Sequence, residues 1–231
     1  MNFIEEVKKL GVDLTEDQLN KFEIYYQYLI EVNQYMNLTS IIDKDEVYRK
    51  HFLDSLEILR GINSNEFSLC DVGSGAGFPS IPLAIVNSKV KVTIIDALNK
   101  RIKFLNELIT KLSLKNVDAL HYRAEDYFKK VGPKYDIVTA RAVARLNVLA
   151  ELCMPLVKVG GHFIAMKGST GQVELEEATK AIEILGGKVD RVITFELPED
   201  LDKREIIIIK KIKETPSKYP RSFAKIKERP L

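Results

Sequence analysis

The run Asp71-Val72-Gly73-Ser74-Gly75-Ala76-Gly77 constrains this chain more than any other stretch. Three glycines at alternate positions let a backbone turn sharply and approach a ligand with no Cβ in the way. The spacing is not G-x-G-x-x-G, which suits a pyrophosphate on a helix N-terminus. An acid, Asp71, stands two residues before the first glycine. That favours a ligand carrying an ammonium group over a phosphate. A tight strand-to-loop turn would use the same glycines without any ligand, so the run has to be weighed with its surroundings.

From Glu66 onward, short β-branched runs alternate with amphipathic segments, the pattern of a doubly wound α/β sheet. The expected strands are 67–72, 90–96, 117–122, 135–139, 161–166, 188–196 and 205–212. The expected helices between them are 77–86, 99–112, 147–157 and 173–185. No helix separates the last two strands, so the sheet should close with a hairpin and be mixed. Ahead of it, Thr15 with Gln18 forms a capping-box pattern, followed by helically spaced Leu19, Phe22, Tyr26, Leu29 and Ile30. Asp43 is placed to cap a further helix, and Gly61 to stop the segment carrying Phe52, Leu56 and Leu59. These readings divide the chain into a helical extension (1–65), a ligand-binding α/β domain (66–213) and a tail (214–231).

In such sheets ligands sit at the carboxyl ends of the strands. The first strand ends in Gly73, Gly75 and Gly77, then Phe78. The second ends at Asp96, whose two oxygens suit a pair of ribose hydroxyls. The third is followed by Arg123, Ala124 and Glu125, where an amide and an acid suit an adenine edge. Arg141 ends the fourth and Lys167 the fifth. With Asp71 for an ammonium group, the set fits S-adenosylmethionine. No Asn-Pro-Pro-Tyr loop follows the fourth strand, which disfavours methylation of an exocyclic amine. Cys70 and Cys153 lie inside a strand and a helix, which disfavours a covalent adduct through a thiolate. A ring nitrogen with a free lone pair needs neither device, so no acid or base is assigned.

The 231 residues carry a net charge of +2, too little to name a partner. The tail differs: residues 210–231 hold eight basic and two acidic residues, interleaved with Tyr219 and Phe223, a mixture suited to phosphate contact and base stacking. A solvated terminus is the plainer reading of the same charges. Two cysteines make neither a disulfide framework nor a metal spacing, which points to a reducing, cytoplasmic compartment and no metal. No apolar run approaches a membrane span, and nothing requires more than a monomer.

Several segments together resemble the bacterial small-subunit ribosomal RNA guanine-N7 methyltransferases, also called glucose-inhibited division protein B. They are Asn37-Leu38-Thr39, the run from Arg49 to Leu56 (RKHFLDSL), DVGSGAGFPSIPLAI from Asp71, Asn99-Lys100-Arg101 with Phe104-Leu105, Arg123-Ala124-Glu125, TARAVA from Thr139, and Tyr219-Pro220-Arg221. Two departures are Ser80, where the family usually has glycine, and a tail lacking the family's fuller Gly-Pro-rich ending. The resemblance implies a Rossmann-like class I methyltransferase fold with a helical extension. It implies S-adenosyl-L-methionine as cofactor and 16S ribosomal RNA or the small ribosomal subunit as partner. By the same resemblance Gly73, Phe78, Ala124, Glu125 and Arg141 would contact the cofactor, and His51, Arg123, Lys167 and Arg221 would serve the substrate. A methyltransferase acting on a small molecule or protein, and a non-catalytic RNA-binding module, are the competing readings.

Overall fold

The computed structural model describes residues 1–200 and 202–231. The chain opens with helix α1 (Phe3–Lys9) and the long helix α2 (Glu16–Met36). The expected capping box is present on α2: the Gln18 amide donates to Thr15 Oγ1 at 3.2 Å, and the Thr15 amide to Gln18 Oε1 at 2.9 Å. The polar segment Asn33–Ser40 reads as a loop from its composition, but the helix runs through Met36 and ends on Asn37 in the left-handed region (φ 52°), taking in the segment's first half. Asp43 caps α3 (Lys44–Val47), which continues into a π-helical turn (Tyr48–Leu53), a short α4 (Asp54–Leu56) and a 3-10 turn ending at Gly61. π-turns are uncommon and often sit at functional sites.

The α/β part follows as β1 (Ser68–Val72), α5 (Ser80–Val86), β2 (Lys91–Asp96), α6 (Asn99–Lys111), β3 (Val117–His121), α7 (Ala124–Val131), β4 (Tyr135–Arg141), α8 (Leu146–Cys153), β5 (Val157–Lys167), α9 (Gly171–Ile184), β6 (Gly187–Glu196) and β7 (Lys203–Lys211). The order is β3-β2-β1-β4-β5-β7-β6, with β7 antiparallel to both neighbours. The order reverses between β1 and β4, where Asp71 pairs with Thr139, and this is where a ligand crevice is expected. All seven expected strands are present. The helix expected from Gly77 begins instead at Ser80, because Gly77 lies at φ 102°, outside helical space. Helix α7, short and half polar, adds to the four helices expected between the strands; the acids Glu125 and Asp126 lie in its first turn.

Each face of the sheet is covered. On one side α1, α2, the π-turn, α5 and α6 share a single core with Ile94, Ile164 and Ile208. On the other, α7, α8 and α9 pack on Val138, Phe163 and Ile207. The N-terminal helices are therefore one layer of the sheet sandwich. Tyr25 of α2 ties that layer to the glycine loop: it is fully buried, stacks on Phe78 at 5.5 Å and donates to the Ala76 carbonyl at 2.5 Å. The tail belongs to the second face. It carries α10 (Phe223–Glu228) and buries Tyr219 and Ile226 there, contrary to the picture of a solvated end. Lys211, near the start of the basic stretch, is also buried, donating to the Met154 carbonyl at 2.7 Å, and burial pulls its pKa down to about 8.

Candidate cofactor and substrate site

A cavity of about 470 Å³ opens at the carboxyl ends of β1 to β4. Its floor is the glycine loop. The Gly73 amide donates to the Ile95 carbonyl at 2.8 Å, which folds the loop back over β2. Gly73 and Gly75 have φ of 75° and 62°, a region that costs an ordinary residue roughly 1–2 kcal/mol. A Cβ on Gly73 would stand 3.0 Å from Val143, while one on Gly75 would have nothing within 4 Å. Asp96 comes in from β2, Arg123 to Glu125 from the start of α7, Arg141 from the end of β4 with Ala142 and Val143 just beyond it, and Phe78 from the glycine loop. Leu38, Thr39 and His51 close one rim and Phe223 of the tail the other.

The polar groups are fixed before any ligand arrives. Asp96 accepts from the Leu98 amide at 2.8 Å on one oxygen and from Arg101 Nη1 at 3.2 Å on the other. Each carboxylate oxygen can accept twice, so both retain capacity for ribose hydroxyls. The Phe223 amide donates to Glu125 Oε1 at 3.2 Å, so the tail and the start of α7 hold one another. Arg141 donates to the Lys50 carbonyl at 2.7 Å, to Ser55 Oγ at 3.1 Å, and pairs with buried Asp54 at 2.9 Å. Its guanidinium also lies 5.6 Å from the Phe78 ring centre. His51 stacks on Phe78 at 4.5 Å, and its Nε2 lies 2.8 Å from Thr39 Oγ1. Burial, followed by the charge of Arg141, pushes the His51 pKa down to about 3. His51 is therefore a neutral ring at physiological pH and a weak base. Both cysteine thiols are buried, and burial pushes their pKa values well up. Neither the His51 ring nor the two thiols is therefore poised to take up a proton or act as a nucleophile near neutral pH.

The family model described as rRNA small subunit methyltransferase G matches residues 18–207. The ribosomal RNA small subunit methyltransferase G of Staphylococcus carnosus is 53% identical over 99% of this chain and 97% of its own. That of Ligilactobacillus salivarius is 54% identical over 91% of this chain and 90% of its own. The chain belongs to the rRNA small subunit methyltransferase G family. Solved structures bear out the class I methyltransferase fold. A putative methyltransferase from Bacillus halodurans superposes with TM-score 0.55 at 14% identity, covering 69% of this chain and 99% of its own. M. jannaschii TYW2 in complex with AdoMet gives 0.54 at 18%, covering 65% and 72%.

In this family member, Gly73, Gly75, Phe78, Asp96, Ala124, Glu125 and Arg141 meet in the cavity, with His51 and Arg123 at its edge. Four other expected site residues do not line it, and each correction has a physical cause. Asp71 is fully buried beneath the loop. Neither of its oxygens has a hydrogen-bond partner, although Ser80 faces them, and desolvation raises its pKa to about 7. Gly77 serves packing: a Cβ there would meet Tyr25 Oη at 2.8 Å and Ile81 at 2.7 Å. Lys167 points to the opposite side of Arg141, where it pairs with Glu174 at 2.6 Å and donates to the Ala144 carbonyl at 2.9 Å. Arg221 makes a forked pair with Glu151, 2.9 Å from Nε to Oε1 and 2.6 Å from Nη2 to Oε2. Val143, Arg101, Tyr122 and Phe223 line the cavity and were not anticipated as site residues. Tyr122 and Arg101 carried a sequence signal, since each lies within five residues of a strand end; Phe223 stood out only as an aromatic of the basic tail, with nothing in the sequence to bring it to this cavity.

Proposed function

We infer that this protein transfers the methyl group of S-adenosylmethionine to N7 of one guanine in the 16S RNA of the small ribosomal subunit. The near full-length identity to methyltransferases of small-subunit ribosomal RNA carries the reading, and the chemistry of the cavity supports it. When bound, S-adenosylmethionine supplies a methyl group on a positively charged sulfur. The cofactor fits the residues present: Asp96 is placed for the ribose hydroxyls, the amides and acid at Ala124 and Glu125 for the adenine, and the open space over Gly75 for a closely approaching chain. Asp71 sits behind the loop and acts on that end through its field rather than by contact.

The guanine N7 lone pair would take that methyl group, the sulfur keeping the electron pair of the broken carbon–sulfur bond as a neutral thioether and the positive charge passing to the base. No proton is removed, in keeping with a neutral His51 and buried thiols. Catalysis then rests on alignment, for which well-oriented reactants gain roughly 7–11 kcal/mol. Arg141, held by Asp54, Ser55 and the π-turn, keeps the wall beside the reacting atoms in place. Arg123 at the rim and exposed Lys225, Lys227 and Arg229 suit phosphate contact. We place the enzyme in the cytoplasm as a monomer; among the described residues no helix is long and apolar enough to cross a membrane. The test is transfer of labelled methyl to small-subunit RNA lacking the modification. Label at guanine N7 is expected, and label elsewhere or none refutes the assignment.

A further inference from the structure

The tail reaches the cofactor cavity through one residue, Phe223. Two anchors hold it there. Just before it, Arg221 donates its backbone amide to Glu151 Oε1 at 2.8 Å and its guanidinium to both oxygens of that fully buried carboxylate. Just after it, Ile226 is fully buried in the core that holds Leu149 and Leu152 of α8. Phe223 between them is half-buried, and its ring packs on that core where it meets the cavity. Its amide donates to Glu125 Oε1 at 3.2 Å, which places the residue beside the group expected to meet the adenine. Glu125 also lines the cavity, and among the described residues its Oε2 takes no hydrogen bond. Phe223 falls in the part of the tail that departs from the family's Gly-Pro-rich ending, so the resemblance assigns it no role.

We propose that Phe223 is a cofactor-recognition residue: its ring covers the adenine, and its backbone amide holds Glu125 so that the free oxygen of that carboxylate meets the adenine amino group. The inference rests on the cofactor site described above. A purine is apolar on its faces and polar at its edge, so a fixed aromatic ring beside a fixed acceptor suits it. An ionised carboxylate only accepts and an amino group donates, so the pair favours adenine over a purine with a carbonyl at that position. With Oε1 bound to a main-chain donor, the carboxylate is oriented before any ligand arrives, which reduces the ordering that binding requires. The adenosyl group is the same in the cofactor and in its demethylated product, and it takes no part in the bond exchange. Contacts to it therefore act on binding and not on the chemical step. Lys225, Lys227 and Arg229 on the same short helix stay exposed, so the tail turns its ring to the cofactor and its charges outward.

The experiment measures binding by calorimetry to the wild-type protein, Phe223→Ala and Phe223→Pro. The ligands are S-adenosylmethionine, S-adenosylhomocysteine and S-inosylhomocysteine, whose base carries a carbonyl in place of the amino group. Alanine removes the ring and keeps the amide. Proline removes both, and it fits the first position of α10 because Ser222 already has the extended backbone (φ −62°, ψ 145°) that a following proline requires. Neither change touches the anchors at Arg221 and Ile226. Phe223→Ala should bind S-adenosylmethionine and S-adenosylhomocysteine about five- to a hundredfold more weakly, the range of aromatic–base stacking. The wild-type protein should prefer S-adenosylhomocysteine to S-inosylhomocysteine by about ten- to a hundredfold, the range of a hydrogen bond to a charged group. Phe223→Ala should keep that preference, and Phe223→Pro should lose most of it. In methyl transfer the loss should fall on the cofactor KM, with no fall in kcat at saturating cofactor. Wild-type affinity in Phe223→Ala, a wild-type preference in Phe223→Pro, or a loss confined to the KM for small subunits, which would give the ring to the RNA, overturns the proposal and leaves the methyltransferase reading intact. Absence of S-adenosylmethionine binding by the wild-type protein overturns both.

Discussion

Replacing Asp71 with asparagine should stabilise the protein, and by an amount that grows with pH. Asp71 is wholly buried with neither oxygen hydrogen-bonded, and desolvation first, with the nearby Asp96 charge adding to it, lifts its pKa from 3.8 to about 7. The folded state thus holds a proton that the unfolded chain gives up near pH 4. Stability from this group is full below that point and is lost as pH rises through 7. At 1.36 kcal/mol per unit, the loss is about 1.5 kcal/mol at pH 5 and about 4 kcal/mol at pH 8. His51 has the opposite sign. Its pKa is held at about 3, so it removes stability as pH falls below 6.5 and would mask Asp71 in a single wild-type profile. Asp71→Asn shares His51 with the wild type, so the difference between the two proteins isolates Asp71. Urea denaturation of both at pH 5 and pH 8 should show the variant ahead by about 1.5 and then about 4 kcal/mol. A difference that does not change with pH refutes the argument. The same variant separates stability from function: if the Asp71 field holds the cofactor's ammonium group, affinity for S-adenosylmethionine falls even as stability rises.

Three further outcomes follow from particular contacts. Tyr25→Phe removes the donor to the buried Ala76 carbonyl and should cost about 1–3 kcal/mol in urea denaturation, with weaker cofactor binding because the loop loses its anchor; unchanged stability would show that the bond contributes nothing. Arg221→Ala leaves the fully buried Glu151 without its counter-ion and should cost about 3 kcal/mol, most of it recovered when Glu151→Met is combined with Arg221→Met; an RNA-specific defect in a protein of wild-type stability would instead return Arg221 to the substrate. Gly73→Val adds a branched side chain at φ 75° against Val143 and should abolish calorimetric binding of S-adenosylmethionine in a protein that still shows cooperative unfolding; retained affinity would contradict the placement of the cofactor.

What the sequence revealed follows from the range of the forces involved. Strand positions were legible because β-branched runs such as Ile206–Ile209 declare themselves locally, and the turn at Gly73 because only glycine suits such a backbone. Asp96, Ala124 and Glu125 were legible because a strand end has a fixed place in this sheet. Three things were not. Asp71 looked like a ligand contact, yet whether its side chain reaches the cavity or stays beneath the loop depends on the loop's path, not on spacing. Lys167 and Arg221 looked free because their partners, Glu174 and Glu151, arrive from helices elsewhere in the fold. The tail looked solvated because its charges outnumber its apolar residues, yet Tyr219 and Ile226 suffice to seat it against α8. The resemblance to ribosomal RNA methyltransferases identified the substrate class; the pairing of the charges decided which cations remain available for it.

The measurement that tests the central claim most directly is transfer of isotopically labelled methyl from S-adenosylmethionine to small ribosomal subunits, and to their naked RNA, taken from a strain lacking this modification, with the labelled base then mapped. The account predicts label on a single guanine of 16S RNA, at N7, in at least one of the two preparations. Label on an exocyclic amine, on a pyrimidine or on protein, or no transfer to either preparation, would contradict it.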